Sequence, residues 1–67
     1  MKHVLLAKYN DSSMPHSAFV FNNKDDAMFK FKEYLIGREE SVETIEEALR
    51  INYFDDDETL TILASSN

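Results

Sequence analysis

The sequence lacks several features on which small secreted or membrane proteins depend. It contains no cysteine, so neither a disulfide nor a thiolate metal site can form. Small secreted domains usually need such cross-links. The apolar run that follows Met1 ends at Lys8 and is too short for a signal peptide, and no apolar stretch approaches the length that spans a bilayer. We therefore expect an intracellular, cytoplasmic protein that does not enter a membrane.

Glycine and proline are nearly absent too, with one residue of each. Phosphate-binding loops need glycines so that backbone N–H groups can approach the anion, which excludes the usual nucleotide-binding loops. The acidic tract at 55–58 lacks the alternate spacing and the central glycine of a calcium-binding loop and is typical of an exposed turn. We expect no cofactor and no bound metal.

Histidine, the usual base in catalysis, occurs only at His3 and His16. Ser12, Ser13 and Ser17 are nearby nucleophiles, but no glycines of a nucleophile elbow accompany them. Paired catalytic carboxylates need a cleft that separates their pKa values, and a chain of 67 residues has little room for one. We expect no catalytic residue and no enzymatic activity.

What the chain does contain is enough apolar material for one small core. Hydrophobic residues make up 43% of the 67 residues, and they include five Phe and three Tyr. This is too apolar for a disordered chain and too short for two domains. The sequence therefore predicts a single domain over 1–67, of marginal stability or stabilised by a partner.

Periodicity predicts the order of the helices and strands. Short apolar and alternating segments favour strands at 3–9, 16–21, 49–54 and 59–64. A spacing of three and four predicts a main helix over 24–36, capped by Asn22 or Asn23, with Gly37 as its left-handed C-terminal residue. Thr44 and Glu47 have capping-box spacing, which favours a short helix over 44–49, although 42–50 as a whole fits either helix or strand.

This order, strand, strand, helix, short helix, strand, strand, predicts the fold class. It is an α+β fold, a small two-layer sandwich in which the main helix packs on one face of a four-stranded antiparallel sheet. The tract at 55–58 is predicted to be the hairpin loop between the last two strands.

Charge is divided unequally along the chain, whose net charge is −6. Residues 1–38 hold six basic and four acidic groups, and residues 39–67 hold one basic and nine acidic groups. Such asymmetry is a recognised sign of an interaction surface, although acidic groups also serve solubility. A stripe of carboxylates can imitate the phosphates of a nucleic acid and steer a protein to a basic groove.

The leading hypothesis is therefore a non-enzymatic protein that binds a partner with a basic, nucleic-acid-binding surface and inhibits a nucleic-acid-handling enzyme. Aromatic side chains at the end of the third strand would anchor the contact. The candidate partner-binding residues are Glu39, Glu40, Glu43, Glu46, Glu47, Tyr53, Phe54, Asp55, Asp56, Asp57 and Glu58.

Two alternatives use other surfaces. Basic residues on or beside the main helix, near Phe29, would bind single-stranded DNA. A homodimer would instead pair through a sheet edge or through apolar residues such as Phe29, Ile36 and Leu63. The candidate nucleic-acid-binding residues are Lys24, Lys30, Lys32 and Arg38.

Three segments resemble the small nonstructural proteins of the microviruses, a family of single-stranded DNA phages. They are the opening strand that runs to Asn10 and Asp11, the mid-chain helix with Phe29 and Phe31, and residues 53–59. Leu60 stands where that family tends to have Gly, and its late His-Pro is absent. The resemblance implies an accessory role in genome replication or packaging, with single-stranded DNA binding proposed, and it transfers no functional residue to this chain.

Overall fold

The computed structural model describes residues 2–11 and 16–65. Ser12 and Ser13, and with them most of the connection between the first two strands, lie outside the described residues. The elements in chain order are β1 (Lys2–Tyr9), β2 (Ser17–Phe21), α1 (Lys24–Gly37), α2 (Val42–Ile51), β3 (Tyr53–Asp55) and β4 (Glu58–Ser65). The predicted α+β class and element order are confirmed.

The four strands form one antiparallel sheet in the order β2-β1-β4-β3. The central strands β1 and β4 pair along their whole length, and β2 and β3 form the two edges. Leu5 lies opposite Phe19 on one side and Ile62 on the other, and Leu60 lies opposite Phe54. Residues directly opposite each other point to the same face, so these side chains share one face of the sheet.

The core lies between that face and the two helices. α1 contacts β1, β2 and β4, while α2 contacts α1 and β3. Burying each large apolar side chain contributes roughly 1.5–3 kcal/mol, so this small layer supplies most of the stability. The buried core residues are Leu5, Ala7, Phe31, Leu35, Ala48, Phe54 and Leu60.

Helix α1 begins as predicted but ends differently. The side chain of Asn23 accepts a hydrogen bond from the Asp26 backbone N–H at 2.8 Å, as expected of a helix cap. Gly37, predicted to take the left-handed conformation, is the last helical residue instead, and Glu39 takes that conformation with φ 62°. The N–H of Glu39 bonds to the Ile36 carbonyl, and the N–H of Glu40 bonds to the carbonyl of residue 35. These two bonds close a Schellman motif two residues later than the glycine.

Helix α2 is longer than predicted, and β3 is correspondingly shorter. The helix is capped by Ser41, whose Oγ accepts from the Thr44 N–H at 3.2 Å, and not by Thr44. It continues to Ile51, and Asn52 with φ 58° ends it. The prediction of a strand over residues 49–51 was therefore wrong, because the helical contacts of this segment with α1 outweigh its alternating pattern. The predicted hairpin loop at 55–58 is also shorter, since its first and last residues belong to strands.

Within the described residues, neither helix is long and apolar enough to cross a lipid bilayer.

Candidate functional site

Arg38 gathers four of the predicted acidic residues at the C-terminal end of α1. Its Nε lies 3.3 Å from Glu40, its Nη1 lies 3.0 Å from Glu58, and its Nη2 lies 2.7 Å from Asp57 and 3.4 Å from Asp56. We call these five residues the Arg38 cluster. It ties the connection after α1 to the turn between β3 and β4, which are far apart in sequence.

The centre of the Arg38 cluster is withdrawn from solvent. Glu58 is 2% exposed, and its second carboxylate oxygen accepts a hydrogen bond from the Tyr34 hydroxyl at 2.7 Å. The Arg38 guanidinium lies 5.0 Å from the centre of the Phe54 ring. Among the described residues, every buried side-chain nitrogen and oxygen has a hydrogen-bond partner. The cluster is thus a satisfied polar core at one corner of the fold.

Protonation states in the cluster follow from burial and pairing. Burial raises the pKa of the Tyr34 hydroxyl, and its hydrogen bond to the Glu58 carboxylate raises it further. Burial lowers the pKa of Arg38, but hydrogen bonds and charges from Asp57 and Glu58 outweigh this, so its pKa is raised overall. The hydrogen bond from Arg38 holds the pKa of Asp57 below its usual range. At neutral pH Arg38 and Asp57 are therefore charged, and the Tyr34 hydroxyl is neutral.

This arrangement corrects several predicted contacts. Phe54 and Glu58, expected to face a partner, are buried in the core and in the Arg38 cluster. Arg38, expected to face nucleic acid, is enclosed by carboxylates with 18% of its side chain exposed. Glu40 is half-buried against Arg38. Asp56 and Asp57 remain exposed but are paired with Arg38. The acidic tract at 56–58 is therefore first of all a structural feature.

A second group of predicted residues converges on a groove between α2 and β3, with a volume of about 460 Å³. Five of its eight lining residues were predicted from the sequence. The residues that line this α2–β3 groove are Glu43, Thr44, Glu47, Ala48, Ile51, Tyr53, Phe54 and Asp55.

The groove combines carboxylates with exposed apolar surface. Ile51 and Tyr53 are 46% and 42% exposed, so the groove presents two large side chains to solvent. Glu43, Glu47 and Asp55 are exposed and contribute their negative charge around them. Such a surface can hold the aliphatic stem of a lysine or arginine while a carboxylate meets its charge.

Two of the groove carboxylates, those of Glu47 and Asp55, already accept hydrogen bonds within the chain. Glu47 accepts from Arg50 at 2.6 and 3.1 Å, and these hydrogen bonds lower the pKa of Glu47. Both side chains are exposed, so this pair contributes little to stability and can exchange partners. The Asp55 carboxylate lies 3.1 Å from the Thr59 hydroxyl, which it shares with the Asn10 side-chain oxygen at 3.0 Å, and it accepts from the Asn10 amide at 3.4 Å. These contacts hold the carboxylate at the edge of the sheet.

The remaining acidic candidates, Glu39 and Glu46, are exposed outside the groove. Glu46 borders a smaller cleft of about 290 Å³ between α1 and α2. The sides of that cleft are mostly apolar, and its other lining residues are Lys32, Ile36, Val42, Ile45 and Leu49.

The basic candidates on α1 do not form one patch. Lys30 and Lys32 lie about 160° apart around the helix axis, because successive residues advance by about 100°. Lys30 is also 3.9 Å from Glu33 and 5.0 Å from the centre of the Phe19 ring. With Arg38 enclosed, the described residues offer a nucleic acid only dispersed lysines on this helix.

His3 is well separated from Ser17, the one candidate nucleophile within the described residues. His3 lies opposite Phe21, whereas Ser17 lies opposite Ala7. Four residues along a strand span roughly 14 Å, too far for His3 to accept the Ser17 proton. Within residues 2–11 and 16–65, no three histidine or carboxylate side chains are grouped so as to hold a metal ion.

Comparison of the chain with protein-family models, with curated proteins and with solved structures gives no match. The function has to be inferred from the residues of this chain. Sequence reasoning missed Thr44, Ala48 and Ile51 as groove residues. Their spacing of three and four was a helical signal, but the alternation at 49–54 hid it.

Proposed function

We propose that this chain is a small, non-enzymatic, cytoplasmic protein that binds a protein partner through the α2–β3 groove. The observation that carries the proposal is the convergence of Glu43, Glu47 and Asp55 on the exposed side chains of Ile51 and Tyr53. The α2–β3 groove fits a basic side chain presented by a partner, because the apolar surface can contact the aliphatic stem of that side chain and the carboxylates can pair with its charge.

The partner we propose is a protein whose basic surface otherwise binds nucleic acid. The net charge of −6 attracts such a surface from a distance. The exposed carboxylates of Glu39 and Glu46 extend the acidic surface beyond the groove. Occupying a basic nucleic-acid-binding site would inhibit the partner enzyme, and the resemblance to microvirus proteins favours a partner involved in genome replication or packaging.

Affinity capture with matched variants tests this proposal. The tagged chain is incubated with nuclease-treated bacterial lysate at low and high salt. We expect a protein partner that is retained at low salt and released at high salt. Changing Glu43→Lys together with Glu47→Lys should weaken its binding by a factor of 10 or more, about 1.4 kcal/mol. Both side chains are exposed, so circular dichroism should show an unchanged fold.

The control carries the same change of charge away from the groove. Asp25 and Glu33 are also exposed and lie outside the groove and outside the candidate partner-binding residues, so reversing both to Lys should weaken binding far less. Equal losses in the two double variants would mean that only the overall charge matters and that the groove is not the site. Recovery of nucleic acid alone, from lysate without nuclease, would support the alternative in which Lys24, Lys30 and Lys32 bind single-stranded DNA.

A further inference from the structure

The face of the sheet that points away from the helices is uncovered and carries large apolar side chains beside polar and charged ones. Leu63 is 49% exposed and Val20 is 62% exposed, while Val4 and Leu6 in the central strand are half-buried. Tyr53 stands at the edge of the same face. An uncovered sheet face with exposed apolar side chains on a small acidic protein indicates a contact surface.

Strand register arranges the part of this outer face from Val4 to Lys8 in three rows, and Lys2 lies in a fourth row beyond Val4. The first row runs from Val20 through Val4 to Leu63. The second row passes from Leu6 through Thr61 to Tyr53, and the third consists of Lys8, Thr59 and Asp55. Paired residues project to the same side of the sheet, so each row is a line of neighbouring side chains.

Charges in the third row make the face self-complementary. Lys8 on β1 and Asp55 on β3 lie on either side of Thr59 on β4. Lys8 makes no ion pair within the described part of the chain, and Asp55 is the one carboxylate that the described strand residues place on this face. The Asp55 carboxylate contacts the neutral side chains of Thr59 and Asn10 but no cation among the described residues. A molecule of charge −6 repels its own copies elsewhere, so this is the face through which two copies can approach.

We propose that two copies of the chain pack these sheet faces together around a two-fold axis that runs along β4. The rotation places β1 of each copy over β3 of the other. Lys8 then meets the second copy's Asp55, Leu6 meets its Tyr53, and Leu63 meets its counterpart on the axis. Every contact occurs twice or lies on the axis, as an isologous interface requires. Aligned packing of twisted sheets, at an angle of about 30°, accommodates this arrangement.

The axis is selected by charge. An axis along β1 would bring Lys8 against its own copy, which is unfavourable. An axis between β1 and β4 would leave Lys8 opposite Thr59. Only an axis along β4 pairs Lys8 with Asp55, once on each side of the axis. It leaves Val20 at the rim.

The dimer is expected to be weak. The face is small, so the buried area falls at or below the lower end of the roughly 1,200–2,000 Å² found in stable interfaces. A dissociation constant in the micromolar range follows. The dimer also covers Tyr53 and Asp55, which line the α2–β3 groove, so a second copy and the proposed partner would compete for this edge.

Sedimentation velocity over a range of concentrations, from low micromolar to millimolar, tests the proposal. The wild-type sedimentation coefficient should rise from a monomer value to a dimer value. Leu63→Asp should keep the chain monomeric throughout this range, because it places two carboxylates together on the axis. Val20→Asp is the matched control at the rim and should leave the dissociation constant within about 3-fold. A monomeric wild type, or equal effects of the two substitutions, would overturn the proposal.

A charge swap tests the register independently of hydrophobic burial. Lys8→Asp should weaken the dimer by about 10-fold or more, and adding Asp55→Lys to it should restore most of the affinity. Failure of the swap to restore dimerisation in a folded double variant would contradict the axis along β4. Leu63 lies outside the groove, so loss of the dimer in Leu63→Asp with partner capture intact would separate this inference from the proposed function.

Discussion

Arg38 is surrounded by more negative charge than one guanidinium can balance, yet the fold places it there. The reason is Glu58, which is 2% exposed and cannot reach water to lower its energy. Arg38 and the Tyr34 hydroxyl supply the hydrogen bonds that this buried carboxylate needs. A buried pair of this kind adds little net stability compared with apolar residues, but removing one member leaves the other charge unpaired.

Substituting Arg38→Ala should therefore be severely destabilising. We expect the free energy of unfolding to fall by about 3 kcal/mol or more, because Glu58 loses its charge partner inside the protein. Urea denaturation followed by circular dichroism measures the change. Arg50→Ala is the matched control, since the Arg50–Glu47 pair is exposed at both ends and should contribute far less to stability.

A second substitution keeps this prediction testable even when Arg38→Ala fails to fold. Adding Glu58→Gln removes the unpaired charge and should recover a substantial part of the lost stability. Similar losses for Arg38→Ala and Arg50→Ala would mean that Glu58 is better solvated than its burial indicates. Such similar losses would contradict the structural role that we assign to the Arg38 cluster.

At the end of α1, the glycine and the residue with left-handed backbone are two positions apart. Gly37 lies in the helix, where glycine is less favourable than alanine, and a Cβ there would meet no atom within 4 Å. Glu39 takes the left-handed conformation that glycine accommodates without strain. The glycine therefore lies two residues before the position whose left-handed backbone would favour a glycine.

Moving the glycine to the position that needs it should stabilise the protein. We expect Gly37→Ala and Glu39→Gly each to raise the free energy of unfolding by about 0.5–1 kcal/mol. The two effects should be measured singly and together by urea denaturation. Glu39→Ala is the control, because it removes the same charge as Glu39→Gly but keeps a Cβ, and it should not stabilise. Stabilisation by Glu39→Ala would show that the charge, and not the backbone conformation, limits stability.

The elements with clear local signals could be predicted from the sequence. Asn23, the acidic first turn and the apolar spacing fixed the start of α1, and alternation identified the central strands. The start of α2 was predicted too late, because Thr44 has capping-box spacing with Glu47, whereas Ser41, which caps the helix, is followed by Thr and not by Glu or Gln three positions on. The strand predicted at 49–51 failed because contacts between α2 and the rest of the fold override local propensity.

The candidate site was only half predictable for a related reason. Composition identified the acidic residues but could not show which of them would be neutralised. Arg38 and Glu58 are 20 residues apart, and no periodic pattern reports a contact over that distance. The sequence also could not show which of Tyr53 and Phe54 faces solvent. The register shows it, since the buried Phe54 lies opposite Leu60 and the exposed Tyr53 lies opposite Thr61.

At the scale of the whole molecule, more of the described carboxylates than of the described cations lie outside the ion pairs. The Arg38 cluster and the Arg50–Glu47 pair use both arginines, while acidic groups such as Glu39, Glu43 and Glu46 form no ion pair among the described residues. Their mutual repulsion at a net charge of −6 destabilises the folded state. At 0.1 M salt, interactions between exposed charges more than about 10 Å apart are largely screened. The buried Arg38–Glu58 pair is screened much less.

The thermal midpoint should consequently rise as sodium chloride increases from low salt to a few tenths molar. Differential scanning fluorimetry at a protein concentration where the chain sediments as a monomer measures this effect without a contribution from self-association. A variant with Glu39→Gln and Glu46→Gln should start at a higher midpoint and respond less to salt, because part of the repulsion has been removed. A midpoint that falls with added salt would mean that attraction within the paired groups outweighs repulsion among the unpaired ones. The acidic surface would then be balanced within the folded chain, and the partner that we propose for it would have little unsatisfied charge to bind.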